Sequence, residues 1–260
     1  MEYQELLIKE LDNVVVVTIN RPAKSNCWTM RLYEEFASLQ KELHEDKSIR
    51  AVVLTGAGDR SFCGGIDLSL LGMANSEFVG QSLTWLQQVN TGWETHSRPV
   101  IAAINGAAIG GGVELALACD IRVAADKAIF SIPEVRVGLA PDMGGTQRLT
   151  KVIGPSQAKR LVLTGMTIDA AEAARIGLVD IVAPADKVLE EALAIAKRIA
   201  ANAPLAVKYA KKAINLATES SIAVGMLYEE LASTFCCGTK DKSEALTSYL
   251  EKREPVYQGK

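Results

Sequence analysis

The chain has 260 residues, long for one domain and short for two, and 48% of them are apolar, so a large buried core is available. Its formal net charge of −3 argues against general nucleic-acid binding, which needs a basic face. The start, Met1-Glu2-Tyr3-Gln4-Glu5, lacks a basic stretch leading into an apolar run, and no apolar run reaches the about 20 residues a membrane span needs, so the expectation is a soluble, cytoplasmic protein with no membrane partner.

Val14 to Ile19 is β-branched and reads as a strand, broken by Asn20-Arg21-Pro22. A helical pattern follows from Met30 to about Glu45, with Leu32, Phe36, Leu39 and Leu43 on one face. Ala51 to Thr55 is a buried strand that ends at Gly56-Ala57-Gly58-Asp59, and Ser76 to Thr95 is helical until Arg98-Pro99 stops it. Val100 to Ile104 is a strand, Asn105-Gly106 a turn, and the glycine triplet at 110–112 opens a helix that runs to about Ala118. Ile121 to Ala124 is another strand. This alternation predicts an α/β core with parallel crossovers. After Asp142 helical patterns dominate, at 144–151, 155–163, 169–176, 185–201, 204–217, 221–236 and 240–252. Asp169 with Glu172 resembles a capping box. The expected layout is a core over residues 1–200 and a C-terminal helical region over 201–260. The apolar faces of that region need covering, by this chain or by another subunit.

Three pieces carry the chemistry: Ser61-Phe62-Cys63-Gly64-Gly65-Ile66-Asp67, Gly110-Gly111-Gly112-Val113-Glu114, and Pro133-Glu134. Two are glycine-rich turns that follow apolar strands, and glycine lets backbone approach a ligand closely. Two such turns can aim N–H groups at one oxygen, a minimal oxyanion hole, and the second turn opens a helix whose N-terminus suits a developing anion. Two carboxyl groups beside that hole could move protons at carbons next to a polarised carbonyl. Glu114 lies in an otherwise apolar helix, where a lone carboxylate is costly to bury unless it is paired or functional. Glu134 could equally sit in an exposed turn. Asp142 has an everyday alternative as the N-cap of the next helix. Cys63 has no histidine near it in sequence and reads as a small buried thiol rather than a nucleophile. The two histidines, His44 and His96, lie in no metal-type cluster, and the five cysteines show no zinc spacing, so no metal site is expected. The lysines at 208–212 read as a solvated helix face.

Taken in order, these motifs resemble the enoyl-CoA hydratase/isomerase (crotonase) superfamily over nearly the whole length. The resemblance is carried by Asn20-Arg21-Pro22-Ala23-Lys24-Ser25-Asn26, Phe62-Cys63-Gly64-Gly65-Ile66-Asp67-Leu68, Pro99 to Gly106, Gly110 to Ala116, Cys119-Asp120-Ile121-Arg122, Pro133-Glu134, Gly144 to Leu149 and the ending Tyr249 to Tyr257. It implies a spiral of ββα units with a C-terminal helical trimerisation region, assembled as a homotrimer or a dimer of trimers. By the same resemblance, the N–H groups of Ile66 and Gly111 would form the oxyanion hole for a thioester oxygen. Glu114 and Glu134 would be the paired acid/base residues of a hydratase. Cys63, Gly64, Gly65, Ile66, Asp67, Leu68 and Gly110 would line the coenzyme A thioester. Lys24 and Lys252 would lie near its nucleotide end, the latter from a neighbouring subunit. The implied activity is addition of water to a trans-2-enoyl-CoA, with no metal or redox cofactor. Asp142 stands where the hydratases usually carry glycine, which resembles the dienoyl-CoA isomerases and makes it a possible third acid. Trp28 stands where a smaller aliphatic residue is common. A non-catalytic, RNA-binding role is the alternative from another class; the acidic balance and the presence of both glutamates argue against it.

Overall fold

The computed structural model describes residues 3–73 and 75–260. The chain begins with β1 (Leu6–Leu11), β2 (Val14–Ile19), a 3-10 turn at Pro22–Lys24 and α1 (Met30–Glu45). Next come β3 (Ala51–Gly56), β4 (Ser61–Cys63), α2 (Leu68–Met73) and α3 (Ser76–Thr95). The following unit is β5 (Val100–Ile104), β6 (Ala107–Ile109) and α4 (Gly111–Leu117). Then β7 (Ile121–Ala125), β8 (Ile129–Ser131) and a 3-10 turn (Glu134–Val137) lead to α5 (Gly145–Thr164). β9 (Thr167–Asp169), α6 (Ala170–Arg175) and β10 (Ile181–Ala183) precede α7 (Val188–Ala200), α8 (Pro204–Ala217), α9 (Ile222–Cys237) and α10 (Lys240–Glu251).

The strands divide between a six-stranded sheet, β1-β2-β3-β5-β7-β10, and a four-stranded sheet, β4-β6-β8-β9. Each successive pair (β3 and β4, β5 and β6, β7 and β8) sends its first strand to the large sheet and its second to the small one. Helices then return the chain, and the result is a spiral of ββα turns. The larger sheet is parallel from β2 to β10 because these strands are apolar on both faces: every residue of β3 and β5 is buried. The α7 helix covers β3, β5 and β7.

Two buried or half-buried asparagines hold the paired strands in register. Asn26 Nδ2 donates to Ala57 O (3.0 Å) and Ser61 O (2.8 Å), and Asn105 Nδ2 donates to Gly56 O (2.9 Å). These bonds fix where the β4 and β6 ends lie, and both site turns leave from those ends. On α1, Phe36 is sealed edge-on between Trp28 (5.4 Å) and Trp93 (5.2 Å), which anchors α1 against α3. Each such aromatic pair contributes about 0.5–1.5 kcal/mol beyond its buried area.

The long periodic elements fall where the sequence predicts them. The strands β4, β6, β9 and β10 do not, because stretches of three residues carry too few periods to read, and β1 does not because Lys9 and Glu10 interrupt its apolar run. The predicted break between 144–151 and 155–163 is a kink inside α5, where Gly154 takes φ 77° ahead of Pro155. Asp169 caps α6 by accepting from Glu172 N (2.8 Å), but the Glu172 carboxylate pairs with Arg160 and Arg175 instead of closing the box. The lysine stripe is not a wholly solvated face. Lys211 turns inward, donating to Asp120 Oδ2 (2.7 Å), Trp93 O (3.3 Å) and Arg98 O (3.2 Å). Its buried ammonium is matched by one carboxylate and two carbonyls, as burial of a charge requires.

Candidate active site

The two glycine-rich turns meet. Gly65 takes φ +88°, and a Cβ there would lie 2.7 Å from Ile109 O and 3.3 Å from Gly111 N. Only glycine permits both the backbone angle and the close approach. Trp28 bridges this turn in parallel fashion: its N–H donates to Gly65 O (2.7 Å) and its carbonyl accepts from Asp67 N (2.9 Å). That pairing uses the groups on either side of Ile66 and leaves the Ile66 N–H pointing away from the bridge. Gly111 opens α4, so its N–H is one of the first-turn donors that the helix itself cannot satisfy. The two turns thus lie against each other, and among the described residues neither the Ile66 nor the Gly111 N–H has a hydrogen-bond partner, the latter at the positive end of a helix.

The carboxyl groups gather around the second turn. Glu134, half-buried at the start of its 3-10 turn, rests on the Gly110 α-carbon; a Cβ on Gly110 would sit 2.5 Å from Glu134 Oε1. Its Oε2 is buried without a hydrogen-bond partner. Glu114, 2% exposed, is on the first turn of α4. Its Oε1 accepts from Met143 N (2.9 Å) and Gly145 N (2.8 Å), while its Oε2 makes no hydrogen bond among the described residues. Burial raises the Glu114 carboxyl to about 7, with Glu134 and Asp142 adding to the rise and the Gly145 and Met143 N–H groups opposing it. Burial also raises Glu134, helped by the charge of Asp142.

Asp142 is not the N-cap of α5. Gly144 holds that position with no side-chain cap bond, because the chain enters the helix in a left-handed turn (φ 100°) two residues beyond the aspartate. Asp142 keeps an open surface, yet desolvation by the wall beside it lifts its carboxyl above the usual range. The loop carrying it is pinned from α3 and α5. Gln87 Nε2 donates to Asp142 O (2.6 Å), while Asn90 Nδ2 and Arg148 Nη1 donate to Met143 O (2.9 and 3.0 Å). Asn90 and the Met143 and Gly145 N–H groups are site components that the sequence reading missed. A polar Asn90 on the apolar face of a helix was the available signal.

The other expected residues divide by position. Cys63 turns its thiol into the core, where desolvation pushes it up to about 12. Gly64 N donates to Ser25 O (2.9 Å), which seats the exposed Lys24 turn against the Gly64-Gly65 turn. The Asp67 carboxylate is occupied by Ser69 and Arg21 and is lowered to about 2 by them, so it holds the turn rather than facing a ligand. The Leu68 side chain lies outside the described residues. Lys252 is exposed at the end of α10, and within this chain nothing brings it to the glutamates. Among the described residues no group of three or more His, Cys, Asp or Glu is arranged to hold a metal ion, and no helix is long and apolar enough to cross a membrane.

The Glu114 shift has a stability consequence. Between its ordinary value of 4.5 and its folded value of about 7, the folded protein holds a proton that the unfolded chain releases, so stability falls as pH rises through this window. Glu114→Gln keeps an acceptor for Met143 and Gly145 but does not titrate. Its stability relative to the wild type should rise between about pH 5 and 7, by up to about 3 kcal/mol, and level off above. Denaturant unfolding at several pH values measures this; a difference independent of pH would mean that Glu114 titrates alike in both states.

Comparison with known proteins agrees with the geometry. The family model described as enoyl-CoA hydratase/isomerase matches residues 9–260. A short-chain-enoyl-CoA hydratase of Clostridium acetobutylicum is 40% identical over 255 residues, covering 98% of this chain and 97% of that protein. A crotonyl-CoA hydratase of Syntrophomonas wolfei is 37% identical, covering 98% of each. Among solved structures, an enoyl-CoA hydratase from Bacillus anthracis superposes with a TM-score of 0.96 at 39% identity, covering 99% of this chain and 100% of that one. A spiral of ββα turns, two glycine turns that meet beside buried carboxyl groups, and these full-length matches lead to one conclusion: the chain belongs to the enoyl-CoA hydratase/isomerase family and has the crotonase fold.

Proposed function

We propose that the protein adds water across the double bond of a trans-2-enoyl-CoA thioester. The observation that carries this is that Glu134 lies against the Gly110 α-carbon while Glu114 stands on the first turn of the helix that Gly111 opens, each with a carboxyl oxygen that makes no hydrogen bond among the described residues. The N–H groups of Ile66 and Gly111 hold the thioester oxygen as it gains charge. Glu114, ionised at and above about pH 7, takes a proton from a water held between the glutamates, and that oxygen bonds to the β-carbon. The electron pair of the double bond moves towards the thioester as an enolate. The α-carbon then takes a proton from Glu134, whose carboxyl burial holds above its ordinary value. Two carboxyl groups and two N–H donors suffice for this addition, so it needs no metal or redox cofactor.

Lys24 and the Lys252 of a second copy are assigned to the phosphates of coenzyme A. Residues 201–260 serve as the assembling region. There Ile222 is 85% exposed, Tyr249 81% and Leu250 72%, and no residue of α9 is buried. Apolar surface of that extent on a helix pair is what a subunit contact covers. The protein is therefore expected to be a trimer, or a dimer of trimers, by light scattering at micromolar concentration; a monomer would remove both the assembly and the role of Lys252. The free cysteines suit a reducing compartment such as the cytoplasm.

One observation favours a second reading. Asp142 caps nothing and adds to the upward shift of both glutamates, so it could serve as a third acid in moving a double bond along a dienoyl-CoA. A panel of enoyl- and dienoyl-CoA thioesters, assayed for water addition and for double-bond migration, decides between the two. Efficient isomerisation of a 3,5-dienoyl-CoA with negligible hydration of crotonyl-CoA would replace the hydratase reading. RNA retention that weakens with salt, with no turnover of any thioester, would replace both.

A further inference from the structure

Three consecutive peptides beside Glu114 are each fixed by their carbonyl. The Asp142 carbonyl accepts from Gln87 Nε2 (2.6 Å), and the Met143 carbonyl accepts from Asn90 Nδ2 (2.9 Å) and Arg148 Nη1 (3.0 Å). The Gly144 carbonyl accepts from Arg148 N (2.8 Å) and Gln147 N (3.1 Å). In a planar trans peptide the N–H points opposite to the C=O. Holding the first and third carbonyls therefore turns the Met143 and Gly145 N–H groups the other way, and both end on Glu114 Oε1 (2.9 and 2.8 Å). The middle peptide joins these two donors, and its carbonyl is the one taken by two side chains.

Those two side chains are themselves anchored. Asn90, on α3, is 1% exposed, and its Nδ2 also reaches Glu114 O (3.3 Å). Its Oδ1 is buried with no hydrogen-bond partner. An apolar side chain of similar shape would fill the space without an unmet acceptor, so packing alone does not account for the amide. Arg148 lies on the first turn of α5. Its Nε and Nη2 meet Glu94 Oε2 (2.8 and 2.7 Å), and Nη2 also donates to Thr91 Oγ1 (2.8 Å), both partners being on α3. The guanidinium is a rigid fork, so fixing two of its nitrogens on α3 directs the third, Nη1, at the Met143 carbonyl. Gly144 belongs to the same arrangement, since a Cβ there would collide with Arg148 Nη1.

We infer that Asn90 and Arg148 are positioning residues: by holding the Met143 carbonyl they aim the Met143 and Gly145 N–H groups at Glu114, and so set the pH at which this carboxyl gives up its proton. For its effect on turnover this rests on the reading of Glu114 as the base of a hydratase; its effect on titration does not. The two N–H groups favour the ionised carboxylate. Burial, Glu134 and Asp142 oppose ionisation. The Tyr33 phenol on α1 and the Cys63 thiol on β4 stay neutral near pH 7, because burial raises both. Arg148 and Glu94 face the loop as an ion pair.

Two substitutions test this without altering any charge. Arg148→Lys offers one ammonium in place of the fork, which cannot serve Glu94, Thr91 and Met143 O together. Asn90→Leu keeps the branched shape and removes the amide. Each should move the acid limb of kcat/KM for crotonyl-CoA upward by about one pH unit, the scale for a weakened N–H bond to a carboxylate. Denaturant unfolding across pH reads the same titration without turnover. A residue with only a structural role destabilises equally at every pH. Here the destabilisation should be constant below about pH 7, where folded Glu114 holds its proton in wild type and variant alike. Above that it should grow, by about tenfold in the folding equilibrium over the next pH unit, because the variant still binds a proton that the wild type has released. In a Glu114→Gln background the growth should vanish. An acid limb that stays in place, or destabilisation by Arg148→Lys that is equal at pH 6 and pH 9, overturns the inference; should Asn90→Leu fail to fold, Arg148→Lys decides. If the wild type hydrates no enoyl-CoA, the hydratase reading fails and the unfolding series decides alone: growth above pH 7 upholds the inference, and its absence overturns it.

Discussion

Replacing Glu114 by Gln should lower kcat for hydration of crotonyl-CoA by roughly 100- to 10,000-fold, the range for loss of one positioned acid or base. Glutamine preserves the shape and can still accept from Met143 N and Gly145 N, so the loop at 141–145 and the thioester pocket should survive. What disappears is a group that can take a proton near neutral pH. The loss should therefore fall on kcat while affinity for a saturated thioester stays within a few-fold of the wild type. Glu134→Gln should behave in the same way for a different reason: it removes the acid proposed to protonate the α-carbon and leaves the proposed water-activating base. In the wild type, kcat/KM should fall on the acid side of about pH 7 as Glu114 becomes protonated. Steady-state kinetics across pH, with calorimetry for binding, checks all three. A Gln variant with turnover near that of the wild type removes that glutamate from the mechanism.

Gly65→Ala should cost roughly 100- to 1,000-fold in kcat, the effect of losing one oxyanion donor. The added Cβ would lie 2.7 Å from Ile109 O at a backbone angle of φ +88°, and neither backbone group can yield without moving its turn. The residue displaced next is Ile66, whose N–H is assigned to the thioester oxygen. The glutamates stand on other elements, α4 and the Glu134 turn, so their geometry should persist. The variant should thus retain the pH dependence of the wild type at a much lower rate, whereas Glu114→Gln loses it. A rate within a few-fold of the wild type would show that the Ile66 N–H does not stabilise the transition state.

The sequence by itself determined the elements with enough periods to be read. The β-branched run at Val14–Ile19, the α1 face of Leu32, Phe36, Leu39 and Leu43, and the glycine triplet opening α4 each encode local geometry through propensity and spacing. Its motifs in order were sufficient for the family. It could not assign the short strands β4, β6, β9 and β10, because these have three residues each and exist only through their partners. Nor could it decide what Glu114, Asp142 and Lys211 do. A glutamate in an apolar helix, an aspartate before a helix and a lysine in a basic stripe each have a common solvated role. Only the tertiary structure buried Glu114 against two backbone N–H groups, handed the cap of α5 to Gly144 and paired Lys211 with Asp120. The physical reason is that desolvation and hydrogen-bond partners are properties of the surroundings. For these residues the surroundings come from segments up to 118 positions away in the chain.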